Sequence, residues 1–415
     1  MAYLERAIDK RLDQLHPQAP AIAIEGAKGV GKTETAARRA GTVWYLDDEA
    51  NAELLRGAPE LLPSSAPPVL LDEWQRLPSV WDSVRRWVDR GAPPGSVLLT
   101  GSATPASGSD RHSGAGRIIS LHMRPMGMFE RGLIEPTVSL AALMAGERGL
   151  HGESPLGVID YTDEIVRSGF PGIRRAASGV REELLAAYVR HIIDRDIPDL
   201  GRQVRRPETL RRWIAAYAAA SSTTTAYSKI LDMTTAGDGS QPAKSSTLEY
   251  RDLLTQIFIL DPIPGWSPAR SPISRLQQAP KHQLVDPAIA AILMNADGPY
   301  LRSSRGAERA GQLFESLAAL TVRAAADPLG ARVGHLRTGN GDHEIDLIVE
   351  GRGGAVVAIE VKLSAVVKDS DVRHLNWLHG VLGDELVDRI VLTTGKTAYR
   401  RPDGVGVVPL ALLGL

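Results

Sequence analysis

The first part of the chain alternates between short apolar runs and segments with apolar residues at helical spacing. AIAIEG, PPVLLDE and SVLLTGS are typical of buried strands, and the first of them runs into a glycine turn. Between the other two, VWDSVRRWVDRG places its apolar residues along one side of a helix. Strands that alternate with helices are typical of a parallel sheet. We therefore predict a parallel α/β domain over residues 1–150.

This pattern changes twice after residue 150. From about 151 to 300 helical spacing dominates, as in EELLAAYVRHIIDRDI and ETLRRWIAAYAAA, with Ser-, Thr- and Gly-rich loops between the helices. From about 301 the helix GAERAGQLFESLAALTVRAAA precedes two strands, HEIDLIVE and AVVAIEVKLS, which GRGG joins. A further α/β segment ends in the strand RIVLTT. We predict a helical middle domain, 151–300, and a second α/β domain, 301–415.

Composition narrows the class of protein. Of 415 residues, 43% are hydrophobic and 23% charged, and the net charge is −1. These values are typical of a globular chain and exclude a globally basic nucleic-acid-binding protein, although they allow a local basic groove. The absence of cysteine excludes disulfides, thiol nucleophiles and cysteine-ligated zinc. No signal peptide and no apolar run of about 18 residues is present, so we expect a cytoplasmic protein without a membrane span.

The glycine turn after AIAIE carries the clearest chemical motif. GAKGVGKT fits G-x-x-x-x-G-K-[ST], with a strand before it and a helix after it. Glycines let successive backbone N–H groups surround phosphates, and the helix N-terminus adds positive potential. Lys32 is expected to reach the β- and γ-phosphates of ATP, and Thr33 to bind Mg²⁺ through its hydroxyl. The predicted nucleotide-binding residues are Gly26, Ala27, Lys28, Gly29, Val30, Gly31, Lys32 and Thr33.

An acidic pair follows the next apolar strand. In VLLDEWQ, Asp72 stands at the carboxyl end of the strand, where ligands of parallel sheets gather. We expect Asp72 to hold the Mg²⁺ shell and Glu73 to polarise the attacking water.

Two further polar residues are candidates for the same site. Ser102 ends the strand SVLLTGS and is a candidate sensor of the γ-phosphate, or a polar strand end without function. Arg117 in GAGRIIS is a candidate for stabilising transition-state charge on a neighbouring subunit's nucleotide, or an ordinary surface charge.

The predicted C-terminal hairpin brings a second group of polar residues together. Asp346 in HEIDLIVE and Glu360 in AVVAIEVKLS are expected to lie side by side, with Glu315 on a helix across the sheet. Two converging carboxylates repel unless a cation neutralises them. We therefore expect Asp346, Glu360 and the carbonyl of Val361 to bind Mg²⁺ or Mn²⁺. Lys362 would then position a water that attacks a phosphodiester. The alternative is an amphipathic hairpin with a solvated polar face.

These motifs, in this order, resemble a bacterial and archaeal group of AAA-type ATPases that carry a restriction-endonuclease-like C-terminal region. The resemblance spans almost the whole chain. It rests on GAKGVGKT, YLDDEANAELLRGAPELL, LDEWQRLP followed by LLTGS, GRIISLHMRPM, SGFPG, YVRHIIDRDI and PKHQLVDPAIAAIL. It implies catalytic roles for Glu315, Asp346, Glu360 and Lys362, which match the helix-Glu, Asp, Glu-x-Lys pattern of the PD-(D/E)xK nuclease superfamily.

The resemblance also implies a winged helix in the middle domain. Its helices would span 206–220 and 245–260, and HQLVD would form a strand. The most basic run there is RQVRRPETLRR, whereas the second helix is not strongly basic. Winged helices can bind DNA through that helix. The alternative is a packing module between the other two domains.

Two functions are compatible with these predicted domains and sites. The first is an ATP hydrolase with a nuclease-like domain that acts on nucleic acid, DNA rather than RNA, with Mg²⁺ or Mn²⁺ at the C-terminal site. The second is a nucleotide-dependent switch whose C-terminal domain docks DNA or protein without cleaving. Either can work as a homo-oligomer.

Overall fold

A computed structural model of the chain describes residues 3–103, 114–199, 206–234, 244–266, 279–339 and 341–415. Part of the basic run predicted in the middle domain, residues 202–205, lies outside these ranges. The chain divides into two compact units. The N-terminal unit comprises residues 5–124 and 254–259, and the C-terminal unit comprises residues 1–4, 125–253 and 260–415.

The N-terminal unit contains a five-stranded parallel sheet in the order β2-β3-β4-β1-β5. The three middle strands are apolar and buried, as expected for a parallel sheet that is covered on both faces. This confirms the α/β prediction for this part. The strands are β1 Ala21–Glu25, β2 Thr42–Tyr45, β3 Val69–Asp72, β4 Val97–Gly101 and β5 Ile119–His122.

Short helices connect these strands. An apolar cluster that includes Leu71, Trp74, Val84 and Leu99 packs between the sheet and its helices. The helices are α1 Ala7–Leu15, α2 Lys32–Ala37, α3 Glu49–Gly57, α4 Leu61–Ser64 and α5 Ser79–Asp89, with a 3-10 turn at Trp74–Arg76.

The C-terminal unit begins with a largely helical region. Its elements are the 3-10 turn Met128–Glu130, strand β6 Val138–Ser139, and helices α6 Leu140–Met144, α7 Val158–Arg167, α8 Pro171–Arg174, α9 Ser178–His191, α10 Ile197–Asp199, α11 Pro207–Ala219, α12 Tyr227–Thr234, α13 Lys244–Gln256, α14 Pro287–Leu293 and α15 Gly298–Arg302. A π-helical turn, Ile192–Asp196, joins α9 to α10. Residues 254–256 of α13 fall in the N-terminal unit.

A six-stranded mixed sheet follows, in the order β11-β12-β10-β9-β8-β7. The pairs β7–β8 and β8–β9 are antiparallel, whereas β9–β10 and β10–β12 are parallel. The long helix α16, Ala307–Leu329, contacts β7, β8 and β9. The remaining elements are β7 Arg332–Arg337, β8 Glu344–Glu350, β9 Val356–Lys362, α17 Asp369–Leu382, β10 Leu386–Thr393, β11 Tyr399–Arg400, β12 Gly406–Pro409 and β13 Leu413–Gly414, with 3-10 turns at Gly383–Glu385 and Leu410–Leu412.

Some predicted elements differ from those observed. The predicted strand HQLVD, residues 282–286, is not a regular strand, because it forms only the isolated bridge of Leu284 with Leu260, and the preceding Lys281 forms another with Ile263. The described part of residues 151–300 contains no regular strand, so a winged helix remains unsupported there. The last predicted strand, RIVLTT, is followed by β11 and β12, which extend the sheet. Within the described ranges, no helix has the length and apolar character needed to cross a bilayer.

Candidate functional site

The loop after β1 depends on glycine at three positions. Gly29 and Gly31 have φ values of 82° and 105°, which favour glycine because other side chains are strained there. At Gly26 a Cβ atom would lie 2.2 Å from the carbonyl oxygen of Met123. The backbone therefore requires glycine at these positions of the loop.

Lys32 begins helix α2 and points back into this loop. Its side chain is buried, and its Nζ donates hydrogen bonds of 2.9 Å to the carbonyl oxygens of Gly26 and Ala27. Burial lowers the pKa of Lys32 to about 8, although Glu73 and Asp72 oppose this shift. A buried ammonium that is held by neutral carbonyls is a favourable partner for an anionic phosphate.

The predicted Mg²⁺ ligands lie in direct contact. The Thr33 hydroxyl donates a 2.7 Å hydrogen bond to Asp72 Oδ1, and the Thr100 hydroxyl donates to the same oxygen. Burial raises the pKa of Asp72, while these two hydroxyl groups act in the opposite direction. Hydroxyl and carboxylate oxygens are the donors that Mg²⁺ prefers, so Thr33 and Asp72 fit the ion that ATP would bring.

Glu73 is held by two neighbours at the end of β3. Its backbone has φ 52°, a left-handed conformation that is uncommon outside glycine and recurs at functional positions. The Ser102 hydroxyl donates a 2.8 Å hydrogen bond to Glu73 Oε2, and the Gln75 amide donates to the same oxygen. The Gln75 amide also donates to Ser102 Oγ at 2.9 Å. Ser102 therefore contacts the candidate base, and Gln75 is a site residue that the sequence prediction missed.

Arg117 lies on the surface of the N-terminal unit. Its Nε is 2.6 Å from Asp89 Oδ1 at the end of α5, and both side chains are about two-fifths exposed, at 41% and 39%. An exposed ion pair of this kind contributes little to stability. Its predicted role in a neighbouring subunit remains a prediction.

The C-terminal candidates meet where α16 crosses the mixed sheet. The antiparallel pairing of β8 with β9 sets Leu347 opposite Ile359, so Asp346 and Glu360 lie at the same end of the hairpin. Glu315 reaches this end from α16. Lys362 Nζ donates a 2.7 Å hydrogen bond to Glu360 Oε1. The structure therefore brings the four predicted residues together.

A fifth residue, Lys281, occupies the centre of this group. Its side chain is fully buried, and its Nζ lies 2.8 Å from Glu315 Oε1, 3.0 Å from Asp346 Oδ1 and 3.6 Å from Glu344 Oε1. Burial would lower the pKa of Lys281, but the carboxylates of Asp346 and Glu315 outweigh it and raise this pKa. The sequence reasoning assigned the neutralising cation to a metal and missed this lysine.

The carboxyl groups divide the charge unequally. Burial and the neighbouring Asp346 raise the pKa of Glu315 and of Glu360. Burial also acts to raise the pKa of Asp346, but Lys281 and Lys362 outweigh it and lower this pKa. Asp346 is therefore the carboxyl group that carries the negative charge most readily.

These residues do not fit a divalent ion as they stand. Lys281 donates to Asp346 Oδ1, and the backbone N–H of Val361 donates to Asp346 Oδ2 at 2.9 Å. The predicted ligand was the carbonyl of Val361, whereas the group that contacts Asp346 is its N–H. Across the described ranges, no group of three or more His, Asp or Glu side chains is arranged to hold a metal ion.

Three families match successive parts of the chain. Residues 18–131 match a family described as an AAA domain. Residues 159–300 and 310–413 match two families that are each described as a domain of unknown function, DUF8612 and DUF4143. The AAA match includes the P-loop, Asp72 and Glu73. Residues 18–131 are thus similar to an AAA-type P-loop domain, and this similarity supports ATP binding and hydrolysis.

Similar proteins have been found among curated sequences and solved structures. The uncharacterized proteins Mb2031c of Mycobacterium bovis and Rv2008c of Mycobacterium tuberculosis are each 26% identical to this chain over 366 residues, which cover 85% of this chain and 72% of the relative. The Walker-type ATPase PABY2304 of Pyrococcus abyssi covers 70% of this chain and 96% of its own, with 15% identity and a TM-score of 0.42.

Proposed function

We propose that this chain hydrolyses ATP at the P-loop and that its C-terminal domain is nuclease-like and binds nucleic acid, DNA rather than RNA. The observation that carries the first part is the contact between Thr33 and Asp72, beside the buried ammonium of Lys32. Lys32 would exchange its two carbonyl partners for phosphate oxygens. Thr33 and Asp72 would hold Mg²⁺, which neutralises charge on the phosphates when bound.

Glu73 is the proposed base in this reaction. Its carboxylate lies at the carboxyl end of β3, and Ser102 and Gln75 orient it through hydrogen bonds. From this position Glu73 would orient and polarise a water for attack on the γ-phosphate. Ser102, by contacting Glu73, would couple the γ-phosphate side of the site to the base.

Two variants test the assignment of roles. Lys32→Ala should lose ATP binding, because the phosphates lose their main cation. Glu73→Gln should bind ATP as wild type does and lose turnover, because only activation of the water is removed. Binding of a fluorescent ATP analogue and release of phosphate are measured on the same preparations. Turnover at the wild-type rate in Glu73→Gln would remove Glu73 from the mechanism.

The proposed function also includes a role for Arg117 in an assembly of subunits. If Arg117 reaches the nucleotide of a neighbouring subunit, turnover per subunit should rise with protein concentration. Arg117→Ala should flatten this rise and leave ATP binding unchanged. A monomer with full activity would exclude the role across subunits.

The arrangement of Glu315, Asp346, Glu360 and Lys362 supports the nuclease-like part of the proposal. They follow the order helix-Glu, Asp, Glu-x-Lys at one end of a mixed sheet. Exposed basic residues on the loop and helix after β9, Lys368 and Arg373, could contact phosphates near Lys362.

A second candidate function is a nucleotide-dependent switch whose C-terminal domain docks DNA or protein without cleaving. The position of Lys281 among the carboxylates favours it over metal-dependent cleavage. The test is incubation of the full chain with DNA and with RNA in Mn²⁺, with and without ATP, followed by both a binding assay and a gel. Binding without cleavage supports the switch, and cleavage that Asp346→Asn abolishes excludes it.

A further inference from the structure

The carboxylate group of the C-terminal unit contains its own cation. Lys281 Nζ has three acceptors within 3.6 Å, on Glu315, Asp346 and Glu344. The oxygens of Glu315 and Asp346 accept hydrogen bonds from this ammonium, whereas Glu344, at 3.6 Å, interacts with it as a longer ion pair. The side chain is fully buried, and water cannot take the place of these partners.

The same oxygens would be the ligands of a divalent ion. Asp346 already accepts from Lys281 and from the N–H of Val361, one hydrogen bond on each carboxylate oxygen. Glu315 Oε1 accepts from Lys281 as well. A metal ion that bound here would have to expel a buried ammonium. It would also lie next to that ammonium at a distance where two positive charges repel strongly.

We propose that Lys281 is the resident cation of this centre, in the place where Glu315 and Asp346 would otherwise need a divalent metal ion. The centre is consequently assembled without metal, with the ammonium of Lys281 placed between the carboxyl groups of Glu315 and Asp346. This inference goes beyond the proposed function, because it concerns the cation of the C-terminal centre and does not depend on ATP hydrolysis.

The backbone holds Lys281 in place from both sides. Lys281 and Ile263 exchange two backbone hydrogen bonds of 2.9 Å each. The next residues are fixed too, since His282 N donates to Thr223 O at 2.8 Å and the Gln283 side chain accepts a 2.6 Å hydrogen bond from Ser316 on α16. A lysine on a segment fixed in this way is preorganised among the carboxylates and is not a mobile surface group.

This segment also joins two matched regions of the chain. Lys281 lies within residues 159–300, whereas its partners Glu315 and Asp346 lie within residues 310–413. The hydrogen bonds from Lys281 to these partners span 34 and 65 residues of sequence. The centre is therefore incomplete in a fragment that starts at residue 300.

Glu360 Oε2 is the one carboxyl oxygen of the centre that is buried without a hydrogen-bond partner in the described structure. A single free oxygen is not a site for Mg²⁺ or Mn²⁺, which take several oxygen ligands. The other Glu360 oxygen is occupied by Lys362 at 2.7 Å. This atom therefore does not restore a metal site.

The test counts Mn²⁺ ions on the full chain without nucleotide, by electron paramagnetic resonance, and records melting temperatures with and without Mn²⁺. Wild type and Asp346→Asn should bind the same number of Mn²⁺ ions and show the same melting shift. Any Mn²⁺ bound at the P-loop is present in both proteins and therefore drops out of the comparison. Lys281→Met keeps the length of the side chain and removes its charge. It should gain one Mn²⁺ ion per chain, and the double variant Lys281→Met/Asp346→Asn should not.

Two outcomes would overturn the proposal. One is a wild-type chain that binds one more Mn²⁺ than Asp346→Asn does. The other is a folded Lys281→Met variant that gains no ion. Lys396→Met, a change at an exposed lysine of the same unit, controls for loss of a positive charge and should match wild type. If Lys281→Met does not fold, the comparison of wild type with Asp346→Asn still decides the question.

Discussion

Among the residues whose burial the structure describes, each of the two units buries one lysine, and the two ammonium groups have opposite surroundings. Lys32 is 4% exposed and donates to the carbonyls of Gly26 and Ala27, and its pKa is lowered to about 8 by burial. Lys281 is 0% exposed and lies against the carboxylates of Glu315 and Asp346, which raise its pKa. Burial alone therefore does not tell what a lysine does.

The two ammonium groups differ in whether their charge already has an ionic partner. Backbone carbonyls are dipoles that compensate a buried charge only in part, so the charged form of Lys32 gains strongly from an incoming phosphate. Lys281 already has ionic partners, and a further ion would compete with it. We propose that Lys32 is arranged to receive an anionic ligand and that Lys281 occupies the place of a metal ion.

The largest expected effect is on stability. Lys281→Met should lower the free energy of unfolding of the C-terminal unit by about 3 kcal/mol, because it leaves buried carboxylates without their cation. Lys32→Met should lower the stability of the N-terminal unit by a smaller amount, about 1 kcal/mol, because it leaves two backbone carbonyls and no hydrogen-bonded carboxylate without a donor. Hydrogen exchange of peptides from each unit measures both effects separately, and the amide of Val361 reports on the centre directly.

A double variant sharpens this comparison. If the loss in Lys281→Met comes from stranded negative charge, Glu315→Gln should recover roughly 1 kcal/mol or more of it, since residues in one charge network are coupled. Equal destabilisation by both lysine variants would show that the two sites do not differ in the way proposed here.

The structure brings the residues predicted for the N-terminal site together, because their signals in the sequence are local. The P-loop is one contiguous motif, and Asp72 and Glu73 directly follow a strand whose apolar run is unmistakable. Gln75 could also have been found, since it stands two residues after Glu73. The fold of this unit follows from apolar runs that are buried on both faces of a parallel sheet.

The C-terminal centre was only partly predictable, for a physical reason. The hairpin places Asp346 and Glu360 by simple strand alternation, and helix α16 places Glu315. Lys281 belongs to a segment held by isolated bridges, with no regular strand whose periodicity would point it toward the carboxylates. Its only signal in the sequence was one positive charge in the run PKHQLVD, in a chain with few lysines. The converging carboxylates need a cation, and a metal ion was therefore predicted as that cation.

A smaller effect concerns pH at the P-loop. Because the pKa of Lys32 is lowered to about 8, its ammonium is charged below that pH and loses its proton above it. Bound phosphate favours the charged form and raises this pKa. ATP affinity should therefore be constant between about pH 6.5 and 7.5 and fall about tenfold per unit above pH 8.

Titration of a fluorescent ATP analogue at each pH measures this dependence. Lys32→Arg is the matched control, because its guanidinium stays charged over this range, and its weaker binding should not vary in the same way. A wild-type affinity that is flat up to pH 9.5 would mean that neighbouring groups hold the proton on Lys32 more firmly than the carbonyl partners indicate.

The smallest expected effect distinguishes ATP binding from the orientation of the attacking water by Glu73. Ser102 and Gln75 both donate to Glu73 Oε2, and neither contacts Lys32 in the structure described here. Gln75→Ala and Ser102→Ala should each lower the turnover of ATP by roughly three- to tenfold, because a less fixed carboxylate orients the water less well. ATP affinity should stay within about twofold of wild type, since the phosphate partners are intact. The double variant should lose less than the product of the single losses, because both residues act through one oxygen. Loss of affinity in proportion to turnover would instead mean that Ser102 and Gln75 contact the nucleotide itself. The ammonium of Lys32 would then share its phosphate with the side chains of Ser102 and Gln75, and Lys281 has no such neighbours.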